Sequence, residues 1–472
     1  MRERYDHWIN GTWVAPNSGL YLESRSPVDD GLVAEIARGD DFDVAHAAAT
    51  ARAAQPAWAA TSPKARSALL SAIARAMNED RDHLVELERS ETGKPLNAAI
   101  DEIATAVDYF EYYAALIRNF SGDVIDVGEN QHIFTRREPY GVVATITPWN
   151  VPITQAARRI APALAVGNAV VAKPSEFTSL STLAVARIAS EAGLPAGVLN
   201  VITGIGPEVG EALVRHPDVR KISFTGSVAA GKKVGAIAAE RIVPLTLELG
   251  GKSPNIVFAD ADLDLAASAA VGTIVRNAGQ ICSAGTRLLV DASVHDELIE
   301  RMKTIAEKVT PGRDIGPIIT PDQFDKVRGF LDAAKNEGLE IVVGGDIDES
   351  GAEAGFYVPP TIYDHVAPDS RLAKEEVFGP VLSVFAFTSE DEAVKLANDT
   401  EYGLVAGIRT RDLARAFRVS AALEAGQVFV NQWYAPIEAP FGGYKQSGHG
   451  REKGVETLSD YTQVKSVVMN LT

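Results

Sequence analysis

The chain has 472 residues, of which 46% are hydrophobic and 23% charged, and a formal net charge of −18. This length and composition give a globular protein with room for two or three domains and a sizeable core, and exclude a disordered chain. The negative charge opposes nucleic acid as a partner, and the single cysteine excludes an internal disulfide framework and any metal site built on cysteines.

The segment Met1–Asp6 carries charge where a signal peptide needs an apolar stretch. The longest apolar runs, such as Ile160 to Lys173, are too short to span a bilayer and contain Pro and Gly. A cytoplasmic protein with no membrane partner and no metal site is expected. The first third reads as helical. Val44 to Trp58 is rich in alanine, and Pro63 to Met77 and Leu96 to Ile117 repeat apolar residues at helical spacing.

The pattern then changes to short β-branched runs. Val142–Ile146 ends in Thr147-Pro148, Ala169–Ala172 in Lys173-Pro174, and Val198–Ile202 in Thr203-Gly204. Ile222–Phe224 ends in Thr225-Gly226, and Val243–Leu247 ends in Glu248. Segments of helical length separate them, so the expected fold class is α/β with a doubly wound parallel sheet. Ligands of such sheets lie at the C-terminal strand ends, where this chain gathers its polar residues. A second α/β alternation runs from Asn255–Phe258 to about Val430 and contains the cysteine. The β-prone stretches Gln131–Arg136 and Gln463–Met469 are expected to pair outside both units.

The only cysteine, Cys282, lies in Asn277-Ala278-Gly279-Gln280-Ile281-Cys282-Ser283. An inert cysteine usually packs as a small hydrophobe within an apolar run. Glycine and polar neighbours suit instead a backbone that bends and a thiol that is reached. Other motifs fall in order around it: Thr147-Pro148-Trp149-Asn150-Val151-Pro152, Phe224-Thr225-Gly226-Ser227 and Glu248-Leu249-Gly250-Gly251-Lys252 before it. Glu375-Glu376-Val377-Phe378-Gly379-Pro380 and Pro440-Phe441-Gly442-Gly443-Tyr444-Lys445 follow.

Together these motifs resemble the NAD(P)-dependent aldehyde dehydrogenase superfamily over nearly the whole chain. The resemblance implies an aldehyde dehydrogenase-like fold with its domains assigned as follows: 1–120 and 139–248 bind NAD, 249–447 carry the nucleophile, and 121–138 with 455–472 form a small β oligomerisation element. It also implies a homodimer or homotetramer acting on a small-molecule aldehyde. A thiolate adds to the aldehyde, the adduct loses hydride more readily than the aldehyde itself, and the resulting thioester is hydrolysed. By this resemblance Cys282 is the nucleophile, and the Asn150 amide with the Cys282 N–H stabilises the alkoxide. Glu248 activates water. Relatives that pass the acyl group to coenzyme A generally lack this glutamate, so a free acid is expected as product.

The same resemblance gives the cofactor residues. Gly226, Ser227 and Gly231 open a helix toward the pyrophosphate, and Lys173 and Glu176 match adenine-ribose binders. Glu176 repels a 2′-phosphate, which favours NAD over NADP. Glu376 and Phe378 match the nicotinamide-side contacts, Leu249 contributes its backbone, and Ile146, Trp149 and Gly206 complete the set. Gln323 and Lys326 are expected near the adenosine ribose, beside the short loop Thr310–Gly316.

Three positions bear on the substrate. Arg158 and Arg276 match arginines that hold the carboxylate in succinate-semialdehyde dehydrogenases, and guanidinium pairs naturally with carboxylate. Arg158 alternatively pairs with an acid such as Glu452, and Arg276 alternatively points to solvent. The serine completing that carboxylate site is not evident, and Trp433 with Tyr434 suits an uncharged aromatic or aliphatic aldehyde instead. Arg159 replaces a lysine linked to proton relay, and arginine is a poor shuttle because it stays charged. Two remoter classes stay open. A cysteine hydrolase needs a histidine base, and none lies in these motif loops. A non-catalytic nucleotide-binding relative is expected to lose Cys282, Glu248 or Asn150, and this chain keeps all three.

Overall fold

A computed structural model of the protein describes residues 3–347 and 355–471. Its larger sheet contains five parallel strands in the order Leu245–Glu248, Val219–Thr225, Val142–Ile146, Ala169–Lys173 and Leu199–Val201. Chain order reverses between Val142–Ile146 and Val219–Thr225, so the switch point of this doubly wound sheet lies there. A crevice opens at the C-terminal ends of strands that diverge in this way. Thr147–Asn150 and Gly226–Ser227 leave those two ends. Both Val142–Ile146 and Ala169–Lys173 are buried along their whole length, as strands covered on both faces must be.

A second sheet orders Glu340–Val343, Thr361–Asp364, Val381–Phe387, Arg287–Asp291, Pro254–Val257, Val405–Arg409 and Gln427–Val430. All its neighbours are parallel except the first pair. A third, small sheet pairs Gln131–Pro139 antiparallel with Thr462–Asn470 over their whole length, with Val124–Ile125 at its other edge. It leaves Val124, Ile125, Val464, Val468 and Met469 exposed. Among the described residues no helix is long and apolar enough to cross a membrane.

The opening of the chain differs from the helical texture expected of it. Short strands occupy Arg4–Tyr5, His7–Ile9, Thr12–Val14, Tyr21–Arg25 and Leu32–Ala37 before the first helix, Asp41–Ala60. Asn10 and Gly11 both have positive φ, +55° and +74°, and turn His7–Ile9 back onto Thr12–Val14. Such a turn suits an Asn-Gly hairpin, because its twist matches that of the strands. A further helix, Arg81–Thr92, joins Pro63–Glu79 to Leu96–Leu116. Its own sequence is polar, and it closes on Gly93 in the left-handed conformation.

Candidate active site

Cys282 stands on a loop whose shape is set just upstream. The helix Leu263–Val275 stops at Arg276, and Asn277, Ala278 and Gly279 all take positive φ, between +50° and +71°. That run, unusual for residues other than glycine, reverses the chain. At Gly279 a Cβ would lie 2.0 Å from the carbonyl oxygen of Gly379, so the two backbones touch. Gln280 is fully buried and pins the turn. Its Nε2 donates to Asn277 O at 2.9 Å and Pro317 O at 3.1 Å, and its Oε1 accepts from the Ile319 N–H at 2.8 Å. Gly251 presses on the other side, where a Cβ would meet the Cys282 carbonyl oxygen at 2.4 Å.

Asn150 is tied to this loop from the switch point of the larger sheet. Its Nδ2 donates to Gln280 O at 2.7 Å, and its own carbonyl accepts from Asn277 Nδ2 at 2.9 Å. An amide nitrogen carries two hydrogens, so one N–H of Asn150 is left over. Glu248 ends the strand Leu245–Glu248 and is buried, and neither carboxylate oxygen has a hydrogen-bond partner among the described residues. Burial, reinforced by the Glu452 charge, holds its carboxyl well above the usual carboxylate range. Burial likewise pushes the Cys282 thiol up to about 12, and Arg158 is the cation that most opposes this. Burial thus disfavours the charged form of both groups.

Two chambers meet at Cys282, and Asn150 and Gln155 line both. One, of about 160 Å³, is lined by Trp149, Gly226, Ser227, Leu249, Glu376 and Phe378. Trp149 and Phe378 stand edge to face with ring centroids 5.4 Å apart, and Phe378 has a positive φ of +57°. The Glu376 carboxylate rests on a glycine pair. Its Oε1 accepts from the Gly251 N–H at 2.9 Å, and a Cβ on Gly250 would lie 2.4 Å from its Oε2.

Not every cofactor residue expected from sequence reaches that chamber. Lys173, Glu176 and Gly206 gather separately, with Lys173 Nζ 3.0 Å from Glu176 and the Gly206 N–H donating to Glu176 at 3.3 Å. Ile146 is buried at its strand end. Gly231 lies under Leu249, whose side chain occupies the place of its missing Cβ. Gln323 and Lys326, expected near the adenosine ribose, instead line the chamber beside Cys282. Gln323 donates to the carbonyls of Val377 and Phe378 at 2.8 and 3.0 Å, because its helix Pro321–Asn336 points its first turn at that loop.

The second chamber, of about 390 Å³, contains all three expected substrate residues, Arg158, Arg276 and Trp433. Arg158 is committed elsewhere, however. It pairs with Glu452 at 2.6 Å, and the other oxygen of Glu452 takes Arg159 at 2.7 Å. This buried bridge is the acid partner anticipated as the alternative for Arg158. Arg276 is exposed and has no ion-pair partner among the described residues. The Trp433 indole N–H donates to Ser283 O at 2.9 Å, and the ring fits against Gly285 and Gly407, where Cβ atoms would collide with it. Trp433 thus offers an apolar face only. Phe429, Tyr434 and Phe441 extend that apolar wall, and Lys453 adds a cation that sequence reasoning missed.

The sequence matches the aldehyde dehydrogenase family over residues 13–467. An NAD-dependent aldehyde dehydrogenase from Sinorhizobium meliloti is 40% identical, with 99% of this chain and 95% of that one covered and a TM-score of 0.97. A protein from Burkholderia cenocepacia assigned as an aldehyde dehydrogenase is 44% identical over 99% of this chain and all (100%) of its own, also at a TM-score of 0.97. A cysteine-to-alanine variant of an indole-3-acetaldehyde dehydrogenase from P. syringae, in complex with NAD+ and IAA, is 38% identical at a TM-score of 0.97, covering 100% of this chain and 97% of that one. The chain belongs to the aldehyde dehydrogenase family. It is an α/β enzyme of the class that oxidises aldehydes.

Proposed function

We propose that the protein oxidises an aldehyde to the free carboxylic acid with NAD as cofactor, through a thioester on Cys282, and that its substrate carries a carboxylate remote from the aldehyde. The observation that supports this best is the position of Cys282 at the junction of two chambers. One suits a flat ring beside a ribose, and the other suits a short aldehyde.

The residues present fit NAD. Glu376 is held by Gly251 with its second oxygen free for a ribose hydroxyl, in space that only glycine at 250 leaves. The pair Lys173–Glu176 offers a carboxylate at the other ribose, where a 2′-phosphate would be repelled. Gly226 and Ser227 open the helix Val228–Arg241, whose N-terminus favours phosphate. Held by Glu376, Gly226 and Ser227, NAD would supply the hydride acceptor for the aldehyde carbon bound to Cys282.

Cys282 gives up its S–H proton to solvent water and Sγ forms the bond to the aldehyde carbon as the C=O π pair moves to oxygen; Arg158 favours the thiolate this requires. The developing alkoxide takes the remaining Asn150 N–H and the Cys282 N–H. Glu248, with both oxygens unpartnered, deprotonates the water that releases the acid and frees the thiol. Arg276, which lines the substrate chamber and has no ion-pair partner among the described residues, receives the remote carboxylate. An uncharged aromatic aldehyde is the second reading, favoured by the wall of Phe429, Trp433, Tyr434 and Phe441.

The same reading assigns residues 1–120 and 139–248 to the cofactor, 249–447 to the nucleophile, and 121–138 with 455–472 to assembly, a division that the separate sheets support in outline. The exposed apolar side chains of the small sheet support a homodimer or homotetramer through that element, which light scattering tests. A cytoplasmic location belongs to the same reading.

The experiment is NADH formation, followed by absorbance across a broad aldehyde panel, with wild type and Cys282→Ser. Aldehyde-dependent NADH from wild type alone is expected; none from any aldehyde overturns the reading. Arg276→Ala tests the substrate class, and unchanged selectivity between succinic semialdehyde and butanal removes the remote carboxylate from it.

A further inference from the structure

We propose that Lys453 is the second arm of the substrate-carboxylate site, acting with Arg276, and that Arg158 is not part of it. The inference rests on the carboxylate-bearing substrate proposed above. It replaces the pair of arginines suggested by sequence with a pair that the packing leaves free.

The substrate chamber is lined by Arg158, Arg276 and Lys453 on the cationic side. Arg158 is held by charge to a buried carboxylate, although its Nε has no hydrogen-bond partner among the described residues. Arg158 is ion-paired with Glu452 at 2.6 Å and donates to Gln155 Oε1 at 3.0 Å, and Glu452 is itself paired with Arg159 at 2.7 Å. Pulling Arg158 onto a ligand would leave the buried Glu452 carboxylate with Arg159 alone, and breaking one partner out of a buried pair is strongly destabilising. Lys453 has the opposite character. Its Nζ makes no hydrogen bond or ion pair among the described residues, and it stands 5.5 Å over the Phe441 ring. Arg158 reaches the same ring at 5.2 Å.

The backbone aims Lys453 into the chamber and keeps it there. Its φ of +61° is left-handed, uncommon for a residue with a side chain. The turn is fixed on both sides. The Glu452 N–H and carbonyl bond Phe441 at 2.7 Å, Thr457 Oγ1 donates to Lys453 O at 2.6 Å, and the Gly454 N–H donates to Ile437 O at 2.8 Å. Strain of this kind persists only where the surroundings enforce it, and it collects at ligand sites. Burial and then the nearby Arg158 charge pull the ammonium down to about 8, with Glu452 opposing the shift but no anion directly bonded among the described residues. A ligand carboxylate supplies that anion.

Acids also line the chamber. Glu102 is taken by Lys94 at 2.7 Å. Asp101 and Asp108 lie seven apart on the helix Leu96–Leu116, on one face, without ion-pair partners among the described residues. They repel a carboxylate from their wall and leave it the Arg276–Lys453 side.

The test compares three four-carbon aldehydes, succinic semialdehyde, butanal and 4-aminobutanal, in wild type, Lys453→Met, Lys453→Arg and Arg276→Gln. The readout is the ratio of kcat/KM for succinic semialdehyde to that for butanal. A charged hydrogen bond of about 1.5–3 kcal/mol corresponds to a fall of about 10–100-fold in that ratio for Lys453→Met. Lys453→Arg is expected to restore most of it, and the rise is expected in KM for the semialdehyde. Because both substrates use the same nucleophile, a general loss of folded enzyme cancels in the ratio. If Arg276→Gln lowers the ratio and Lys453→Met does not, the assignment of Lys453 is overturned while the carboxylate-bearing substrate stands. If wild type prefers butanal or 4-aminobutanal, or neither variant moves the ratio, the substrate class itself fails and Lys453 with it.

Discussion

Asn150 is asked to do two things, and they separate cleanly. One N–H of its amide braces the nucleophile loop at Gln280 O, 2.7 Å away, and the other is proposed to meet the alkoxide. Asn150→Ala removes both. The bracing share is small, since Gln280 O keeps Asn277 Nδ2 at 3.3 Å and a neutral hydrogen bond nets about 1 kcal/mol, roughly fivefold in rate. The alkoxide share is large, because a preorganised oxyanion donor supplies about 2.7–4 kcal/mol. Asn150→Ala is therefore expected to lower kcat by about 10²–10³-fold. Asn277→Ala is the control. It removes the bonds to Asn150 O at 2.9 Å and Gln280 O, but no alkoxide donor. Its loss in kcat is expected to stay within about 30-fold, as for two neutral hydrogen bonds of about 1 kcal/mol each. Initial rates of NADH formation give kcat, and alkylation of Cys282 by iodoacetamide reports separately whether the thiol has moved. A loss below about tenfold for Asn150→Ala, or equal losses for the two variants, would refute the alkoxide role.

The buried Glu248 must lose a proton that its surroundings hold above the usual carboxylate range. Wild-type kcat is expected to rise as pH is raised through that shifted value. Glu248→Gln is expected to abolish the rise and to give one burst of NADH per site, with the acyl-enzyme detectable by mass spectrometry; steady turnover in the variant contradicts a role as base. His295 lies with Nδ1 2.9 Å from Asp296 and Nε2 2.9 Å from Asp364. Burial opposes its charge, and hydrogen bonds donated to those two acids overcome the penalty and raise its pKa. A raised folded value gives stability that is complete below the unfolded value of about 6.5 and is lost as pH climbs through the folded one. The gap in Tm between wild type and His295→Gln is thus expected to be wider near ~pH 6 than near ~pH 9; a gap independent of pH removes the imidazolium.

The parallel sheet was legible because each of its strands is a β-branched run closed by a turn signal, and the site residues fall at those closures. The opening strands were not, since pieces of two to six residues are too short to show a period. The Asn10-Gly11 turn was the one signal that marked them. Cys282, Asn150 and Glu248 were legible as motif residues, yet their surroundings were not. Nothing local reveals that Gln280 pins the loop at Pro317 and Ile319, or that Glu452 bridges Arg158 and Arg159 nearly 300 positions upstream in the chain. Lys453 escaped notice because its relevance comes from a left-handed backbone beside the chamber, which a lysine does not advertise. Gln323 was misplaced because helix direction, not distance along the chain, decides which loop its amide meets.

The contact between Gly279 and Gly379 has a mechanical consequence. Where a side chain separates two loops, its rotamers absorb small displacements; here carbonyl oxygen meets α-carbon with no such cushion. The loop bearing Cys282 and the loop bearing Glu376 and Phe378 therefore meet backbone to backbone at this point. Bulk added at residue 279 would have to push the two loops apart, and with them the thiol from the ring pocket.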